Sequence, residues 1–292
     1  GEVGGCSTSP PMGFGVNVSQ ISAGALAEVV ALLKPSHVYL SFGDDVRASG
    51  HAEAVKEGGA HIMANAGSVG KALQHAAAGV DCVVIQGSDA GGHTHPSASA
   101  FAMLPEARDA LDAAGFSEVL LAYAGGVCDG RGVAAALALG ADAVVLGTRL
   151  AAAAESDYTA AQRAALGAAA DGAVSTTLGT FHDWINGNHP HSSGLPGRCL
   201  VTRTTALEED WTALKDVTAG GGDGDDLIRG MAARGLARAG GDGLEWGTTW
   251  AGAAVGLVPS GPVSLSAGDI VRDVMAEAAA TLTRSARLLY VG

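Results

Sequence analysis

Hydrophobic positions in the first half of the chain fall into short runs that alternate with longer amphipathic stretches. The run Asp81-Cys-Val-Val-Ile-Gln86 is almost unbroken, which is typical of a strand buried on both faces of a parallel sheet. Residues 23–33 predict a helix that Pro35 ends. Strands that alternate with helices in this way indicate right-handed βαβ units and a parallel sheet.

The pattern predicts six strands before residue 150. They span residues 14–18, 37–42, 60–64, 81–86, 118–123 and 142–146. Helices are predicted at 23–33, 46–57, 68–78, 104–114 and 131–139, with a last helix at 268–289. Pro105 is expected at the start of the fourth helix, where its missing N–H costs nothing.

Two glycine-marked strand ends distinguish between the fold classes that this rhythm allows. Gly125-Gly126 and Gly147-Thr148 follow successive strands and are one βα unit apart. Adjacent late strands often hold a phosphate in a parallel barrel, whereas a doubly wound sheet has its Gly-rich turn after the first strand. The glycines therefore favour a TIM-type (β/α)8 barrel, although the rhythm alone leaves an open doubly wound sheet as an alternative.

The rhythm breaks after about residue 178. Residues 180–197 are rich in His, Asn, Gly and Pro, and the helices expected beyond them are short. We expect residues 1–178 and 252–292 to form the barrel and residues 179–251 to form a smaller, mostly helical cap.

Composition excludes several classes of partner. The 292 residues carry a net charge of −13, which argues against binding to nucleic acid or to anionic membranes. The sequence contains no apolar run long enough for a transmembrane helix and no signal-peptide pattern. Its four cysteines lack CxxC spacing, and neither a disulfide framework nor a secreted protein is expected from them. A cytoplasmic protein is the resulting expectation.

The segment from Gln86 to His93 carries the strongest sign of chemistry. It follows a buried strand and ends in Gly91-Gly92-His93, so that a histidine comes directly after backbone that a ligand can approach closely. Histidine is the side chain best suited to accept a proton near neutral pH. A loop at the carboxyl end of a barrel strand lies on the catalytic face, which makes His93 a candidate proton acceptor.

Three segments together resemble one known family. The residues 86–93, the run from Ala124 to Asp142 that contains Gly125-Gly126, and Leu146-Gly-Thr-Arg149 are similar to those of nitronate monooxygenases. The resemblance implies an FMN-containing TIM barrel with a second, smaller domain. It also implies oxidation of alkyl nitronates or nitroalkanes with O2 to carbonyl compounds and nitrite, without a metal.

The resemblance also assigns roles to individual residues. It implies that His93 is the catalytic base, and that the FMN site is formed by Asn17, Gln86, Gly91, Gly92, Gly125, Gly126, Gly147 and Thr148. The two glycine-marked turns are expected to hold the phosphate. Arg149 either neutralises that phosphate or forms a salt bridge on the outside of the barrel.

Several alternatives stay open. The family's first strand has no clear counterpart in this sequence, so the barrel is expected either without that strand or with an irregular replacement. An FMN-dependent enoyl reductase of similar fold and an inactive flavin-binding protein are alternative functions. A metal-dependent hydrolase is a further one, based on the pairs His93-x-His95 and His189-x-His191. The sequence also leaves open whether the protein forms a homodimer.

Overall fold

A computed structural model of the chain describes residues 12–43, 45–180, 182–183, 194–202, 205, 247–260 and 265–289. The chain divides into two compact units. The first comprises residues 1–84 and 107–120, and the second comprises residues 85–106 and 121–292. Most of the expected cap at 179–251, including His189 and His191, lies outside the described residues.

The alternation of strands and helices is confirmed. The strands are β1 (Gly13–Asn17), β2 (His37–Ser41), β3 (His61–Ala66), β4 (Cys82–Gln86), β5 (Gly92–His93), β6 (Leu120–Ala124), β7 (Ala143–Val145), β8 (Thr176–Gly179) and β9 (Gly197–Leu200). The helices are α1 (Ala23–Leu33), α2 (His51–Glu57), α3 (Val69–Ala77), α4 (Ala100–Ala113), α5 (Gly130–Ala138), α6 (Thr148–Ala151), α7 (Ala160–Ala168), α8 (Gly172–Ser175) and α9 (Ala267–Leu289).

The main sheet has the strand order β1-β2-β3-β4-β6-β7. Its strands lie in chain order, with β5 left out, and the pairs β1–β2, β2–β3 and β6–β7 are parallel, as in a barrel built from βα units. The described residues supply six strands to this sheet, two fewer than the eight of a closed (β/α)8 barrel.

The core of the first unit lies between α1, α2 and the strands. Leu26 and Val30 of α1, Leu40 of β2, Val55 of α2 and Ile62 of β3 are each 1% exposed or less. Burial of such a side chain stabilises the folded state by about 1.5–3 kcal/mol. These positions explain why the apolar runs of the sequence predicted the elements correctly.

Side-chain caps define where the helices begin. The Ser22 hydroxyl accepts a hydrogen bond from the Ala25 N–H at the start of α1, and Lys34 ends that helix with a left-handed φ of 45°. The Asp129 carboxylate accepts from the N–H groups of Arg131 and Gly132 at the start of α5. These bonds satisfy N–H groups that have no partner within the helix.

Two helix boundaries differ from the prediction. Helix α4 begins at Ala100, so Pro105 lies in its second turn rather than at its start. Helix α2 begins at His51 rather than at residue 46, because the Asp45 carboxylate accepts from the N–H groups of Arg47 and Ala48 and holds a turn there.

A three-stranded antiparallel sheet in the second unit was not predicted. Its order is β5-β9-β8, with Gly92 opposite Arg198 and His93 opposite Gly197. Strand β5 has two residues, too few to show an alternating pattern in the sequence. This sheet fixes the backbone of His93.

The last helix, α9, belongs to the second unit, where it packs against α5. A Cβ atom at Gly130 of α5 would lie 2.4 Å from the backbone nitrogen of Ala278 in α9, so only glycine allows this close crossing. The Gly130 N–H donates to the Glu277 carboxylate at 2.8 Å. The described helices include none that is long and apolar enough to cross a bilayer.

Candidate active site

His93 lies at the end of a well-anchored loop in the second unit. The Gln86 side chain, at the end of β4, donates to the His93 carbonyl at 3.4 Å. The fully buried Thr94 next to it donates its hydroxyl to the Gly87 carbonyl, and its N–H donates to Pro196 at 3.0 Å. The loop is therefore tied at both ends, and the backbone of His93 is held in one place.

A buried carboxylate holds the imidazole of His93. The His93 Nε2 atom lies 2.9 Å from Oδ1 and 3.1 Å from Oδ2 of Asp183. The exposed fraction of the Asp183 side chain is 3%, and that of His93 is 13%. A buried carboxylate needs a hydrogen-bond donor, so this contact favours a proton on Nε2. On neutral His93 the lone pair then belongs to Nδ1.

Two further aromatic side chains pack around this pair. The His182 Nε2 atom is 3.8 Å from Oδ2 of Asp183, and the His182 side chain is 1% exposed. The Trp250 ring lies 5.1 Å from the His93 ring and 4.4 Å from the His182 ring. Trp250 is itself anchored, because its carbonyl accepts from the Tyr158 hydroxyl at 3.0 Å.

Gly197 makes this packing possible. A Cβ atom at Gly197 would lie 2.5 Å from Cζ3 of Trp250 and 2.7 Å from Nε2 of His182. Both separations are far below ordinary van der Waals contact, and both neighbouring rings are packed. The glycine opposite His93 in the antiparallel sheet is therefore required for the rings to approach.

The first glycine pair lies against the loop that leads to His93. Gly125 and Gly126 have φ values of 120° and 65°, which disfavour any residue other than glycine. Cβ atoms there would lie 3.0 Å from the Ala90 nitrogen and 3.2 Å from the Asp89 Cβ. Close packing of the loop thus accounts for part of the need for glycine at these two positions.

The second glycine-marked turn, Gly147-Thr148, has more space around its glycine. A Cβ atom at Gly147 would meet no atom within 4 Å, and the same holds for Gly92, whose φ is 72°. The Thr148 hydroxyl accepts from the Gly252 N–H at 2.8 Å and keeps its own proton for donation. Gly147 and Gly92 therefore have open space on their Cβ side, and the contact of Gly147 and Thr148 with a phosphate stays a prediction.

A segment around Gly252 joins the predicted loops. A Cβ atom at Gly91 would lie 2.6 Å from the Gly252 nitrogen, and the Ala253 N–H donates to the Asp89 carbonyl at 3.0 Å. This segment contacts both the loop before His93 and Thr148. No local pattern in the sequence indicates this segment apart from Gly252 itself.

Asp89 organises the polar part of the same loop. Its carboxylate accepts from the Ser99 hydroxyl at 2.6 Å. Burial, and then the negative charge of Asp89, raise the pKa of the Tyr123 phenol above its ordinary value. Tyr123 therefore stays protonated at neutral pH and is able to donate a hydrogen bond.

Two other residues also had predicted roles. Arg149 is 8% exposed and is therefore buried, and its two predicted roles, at the phosphate or in a salt bridge outside the barrel, stay predictions. Asn17 ends β1 in the first unit, where its side chain accepts from the N–H and the hydroxyl of Ser19 at 3.1 and 2.7 Å. Its contact with flavin stays a prediction.

The histidine that lies beside His93 in the structure is not the one that the sequence pattern suggested. Of the described residues, His93, His182 and Asp183 have potential ligand atoms within 4.8 Å of one another. Sequence reasoning had paired His93 with His95 instead. Asp183 and Trp250 were missed because each lies far along the chain, in a segment without a regular pattern. An acidic residue beside a histidine in the His-rich stretch was the available signal for Asp183.

A cavity of about 280 Å³ elsewhere in the second unit does not match this chemistry. It is lined mainly by apolar side chains of α5, β7 and α9. Its one acidic residue, Asp142, already accepts from the Leu121 N–H at 2.8 Å. The site around His93 is therefore the stronger candidate.

Comparison with known proteins identifies the family of the chain. The family model described as nitronate monooxygenase matches residues 16–277. The chain belongs to the nitronate monooxygenase family. A nitronate monooxygenase of Neurospora crassa is 35% identical over 236 residues, which are 77% of this chain and 56% of that protein. The chain thus spans little more than half the length of this curated relative.

Solved structures identify the fold. FabK from Thermotoga maritima has a TM-score of 0.74 at 24% identity, covering 96% of this chain and 80% of that one. Nitroalkane oxidase from Streptomyces ansochromogenes has a TM-score of 0.64 at 26% identity, covering 89% of this chain and 69% of that one. Both are of the TIM-barrel type, which confirms the predicted fold class for this family member.

Proposed function

We propose that this nitronate monooxygenase family member oxidises alkyl nitronates and nitroalkanes with O2 to carbonyl compounds and nitrite, with FMN as cofactor. The observation that carries the proposal is His93, held by the buried carboxylate of Asp183 at 2.9 Å beside loops rich in glycine. Such a pair is suited to removing a proton from a carbon acid. The family relationship supplies the substrate class.

The residues of the second unit fit a flavin mononucleotide. The open backbone at Gly92 and Gly147 and the hydroxyl of Thr148 would hold its phosphate and ribityl chain. Gln86 and Gly91 would lie near the ring system. Gly125 and Gly126 shape the loop that contributes these groups, and Asn17 is a further proposed contact. When bound, FMN supplies the redox chemistry of the reaction.

The protein's own part in the reaction is transfer and control of a proton. With a neutral nitroalkane, His93 accepts the α-proton at Nδ1, because Nε2 carries the proton that Asp183 binds. Asp183 then stabilises the imidazolium ion that forms. With a nitronate the proton is already gone, and His93 only orients the anion. The two substrates therefore depend on His93 to different degrees.

The matching experiment is the substitution His93→Asn. Oxygen consumption with a nitroalkane should fall strongly, while the flavin content of the purified protein stays at the wild-type level. Unchanged turnover with full flavin content would contradict the role of His93 as base.

The alternative functions give different results in the same preparation. An enoyl reductase-like enzyme would oxidise NAD(P)H without a nitronate. An inactive flavin-binding protein would be yellow but would consume no oxygen, and a metal hydrolase would contain stoichiometric metal and no flavin. A cytoplasmic location and a homodimer stay predictions.

A further inference from the structure

Two buried side chains next to His93 carry groups that are able to coordinate a metal ion. His182 and Asp183 are adjacent in sequence, and together with His93 they place potential ligand atoms within 4.8 Å of one another. We propose that His93, His182 and Asp183 bind a divalent transition metal ion, Zn²⁺ above all, and that this ion blocks the site. Binding of the ion is independent of the proposed oxidation.

The donor set selects the type of ion. Two imidazole nitrogens and one carboxylate oxygen are common ligands of Zn²⁺, which then keeps a fourth position for water. Calcium and magnesium prefer sites made of oxygen atoms. Imidazole ligands therefore favour Zn²⁺ and its neighbours in the first transition row over these abundant cations.

The spacing of the donors is close to what a tetrahedral ion needs. Ligand atoms about 2.0–2.1 Å from Zn²⁺ lie about 3.3 Å apart in tetrahedral geometry. The contact from His93 to Asp183 is 2.9 Å and that from His182 to Asp183 is 3.8 Å, so the two distances bracket this value. The donor atoms of the third pair, His93 and His182, lie within 4.8 Å of each other, so the two rings draw together when an ion binds.

The surroundings hold the ligands in position. The side chains of His182 and Asp183 are 1% and 3% exposed, so neither is free to swing into solvent. Trp250 packs edge-on against His182, and Gly197 leaves room for both rings. Side chains fixed in this way lose little conformational freedom when a metal binds, which favours affinity.

Occupancy by zinc has a consequence for the proposed function. A metal bound to His93 engages the imidazole and displaces the hydrogen bond with Asp183, so the ring no longer serves as a proton acceptor. Zinc is then an inhibitor that a chelator reverses. Only this consequence rests on the proposed oxidation.

The direct test measures zinc binding by the full chain. Protein treated with a chelator and dialysed is titrated with Zn²⁺ alone against a chromophoric competitor. One equivalent should bind to the wild type, and His182→Gln should weaken the affinity at least tenfold. His61→Gln is the matched control, because the His61 ring is 77% exposed in the first unit. Equal affinity in the wild type and His182→Gln overturns the proposal, as does the absence of zinc binding.

A second readout separates misfolding from loss of a ligand. His182→Gln should keep the wild-type circular dichroism and melting temperature without zinc, and should lose the rise in melting temperature that Zn²⁺ gives the wild type. Zinc should also inhibit nitronate oxidation in the wild type, with recovery in EDTA. Zinc binding without any nitronate oxidation would contradict the proposed function alone, whereas oxidation without zinc binding would contradict this inference alone.

Discussion

Replacement of Asp183 by asparagine is the sharpest perturbation of the proposed mechanism. Asparagine keeps the shape of the side chain but removes the negative charge that faces Nε2 of His93 at 2.9 Å. The imidazolium ion formed on proton transfer then loses its counter-charge. The Asp183 side chain is 3% exposed, so water does not reach this position to stabilise the imidazolium ion in place of the carboxylate.

The expected size of the effect follows from the type of contact. A hydrogen bond to a charged group contributes about 1.5–3 kcal/mol of stabilising free energy, and here it stabilises the charge that forms on His93 during proton transfer. Since about 1.4 kcal/mol corresponds to a factor of ten in rate, kcat with a neutral nitroalkane should fall about 10- to 150-fold. With a preformed nitronate no proton is removed from carbon, so the decrease should be smaller.

The assay is oxygen consumption with one nitroalkane and its nitronate, corrected for flavin content. Asp112→Asn serves as the control, because Asp112 is 52% exposed and pairs with Arg108 on the surface of α4. Equal losses on both substrates would indicate general damage to the site. Turnover of the nitroalkane within about twofold of the wild type would refute the role given to Asp183.

Three further predictions concern stability. Gly197→Ala should lower the free energy of unfolding by about 1–3 kcal/mol, measured with urea, because its Cβ would overlap Trp250; an unchanged midpoint would contradict the packing described here. Gly24→Ala in α1 should instead stabilise the protein by about 0.5–1 kcal/mol, since the added methyl group meets nothing within 4 Å; a lower midpoint would show that the site is not open. Burial raises the pKa of the Cys128 thiol to about 11, so the unfolded chain loses this proton first and stability should decline as the pH rises from 9.0 towards 11. The loss reaches about 3 kcal/mol, and Cys128→Ala should show a shallower decline than the wild type in urea titrations across this range.

The parallel part of the fold was predictable because burial on both faces leaves a clear mark in the sequence. The runs around Leu40, Ile62 and Val83 are apolar over most of their length, and glycines or prolines follow nearby helices. The antiparallel sheet left no such mark. Its strands have two to four residues, and their pairing depends on contacts between distant parts of the chain.

The candidate site shows the same division. His93 was identifiable because a histidine after a glycine pair at a strand end is a local pattern. Asp183 and Trp250 reach it from 90 residues or more along the chain, and no local spacing indicates either contact. The glycine pairs were predicted as one phosphate clamp, which stays a prediction; an added Cβ atom would meet protein at Gly125 and nothing within 4 Å at Gly147.

The most direct test of the central claim is identification of the flavin bound by the purified protein. The account predicts a yellow protein that releases FMN on denaturation, or a protein without flavin that regains its absorption and its nitronate-dependent oxygen consumption when FMN is added. A colourless protein that takes up no FMN would contradict the account.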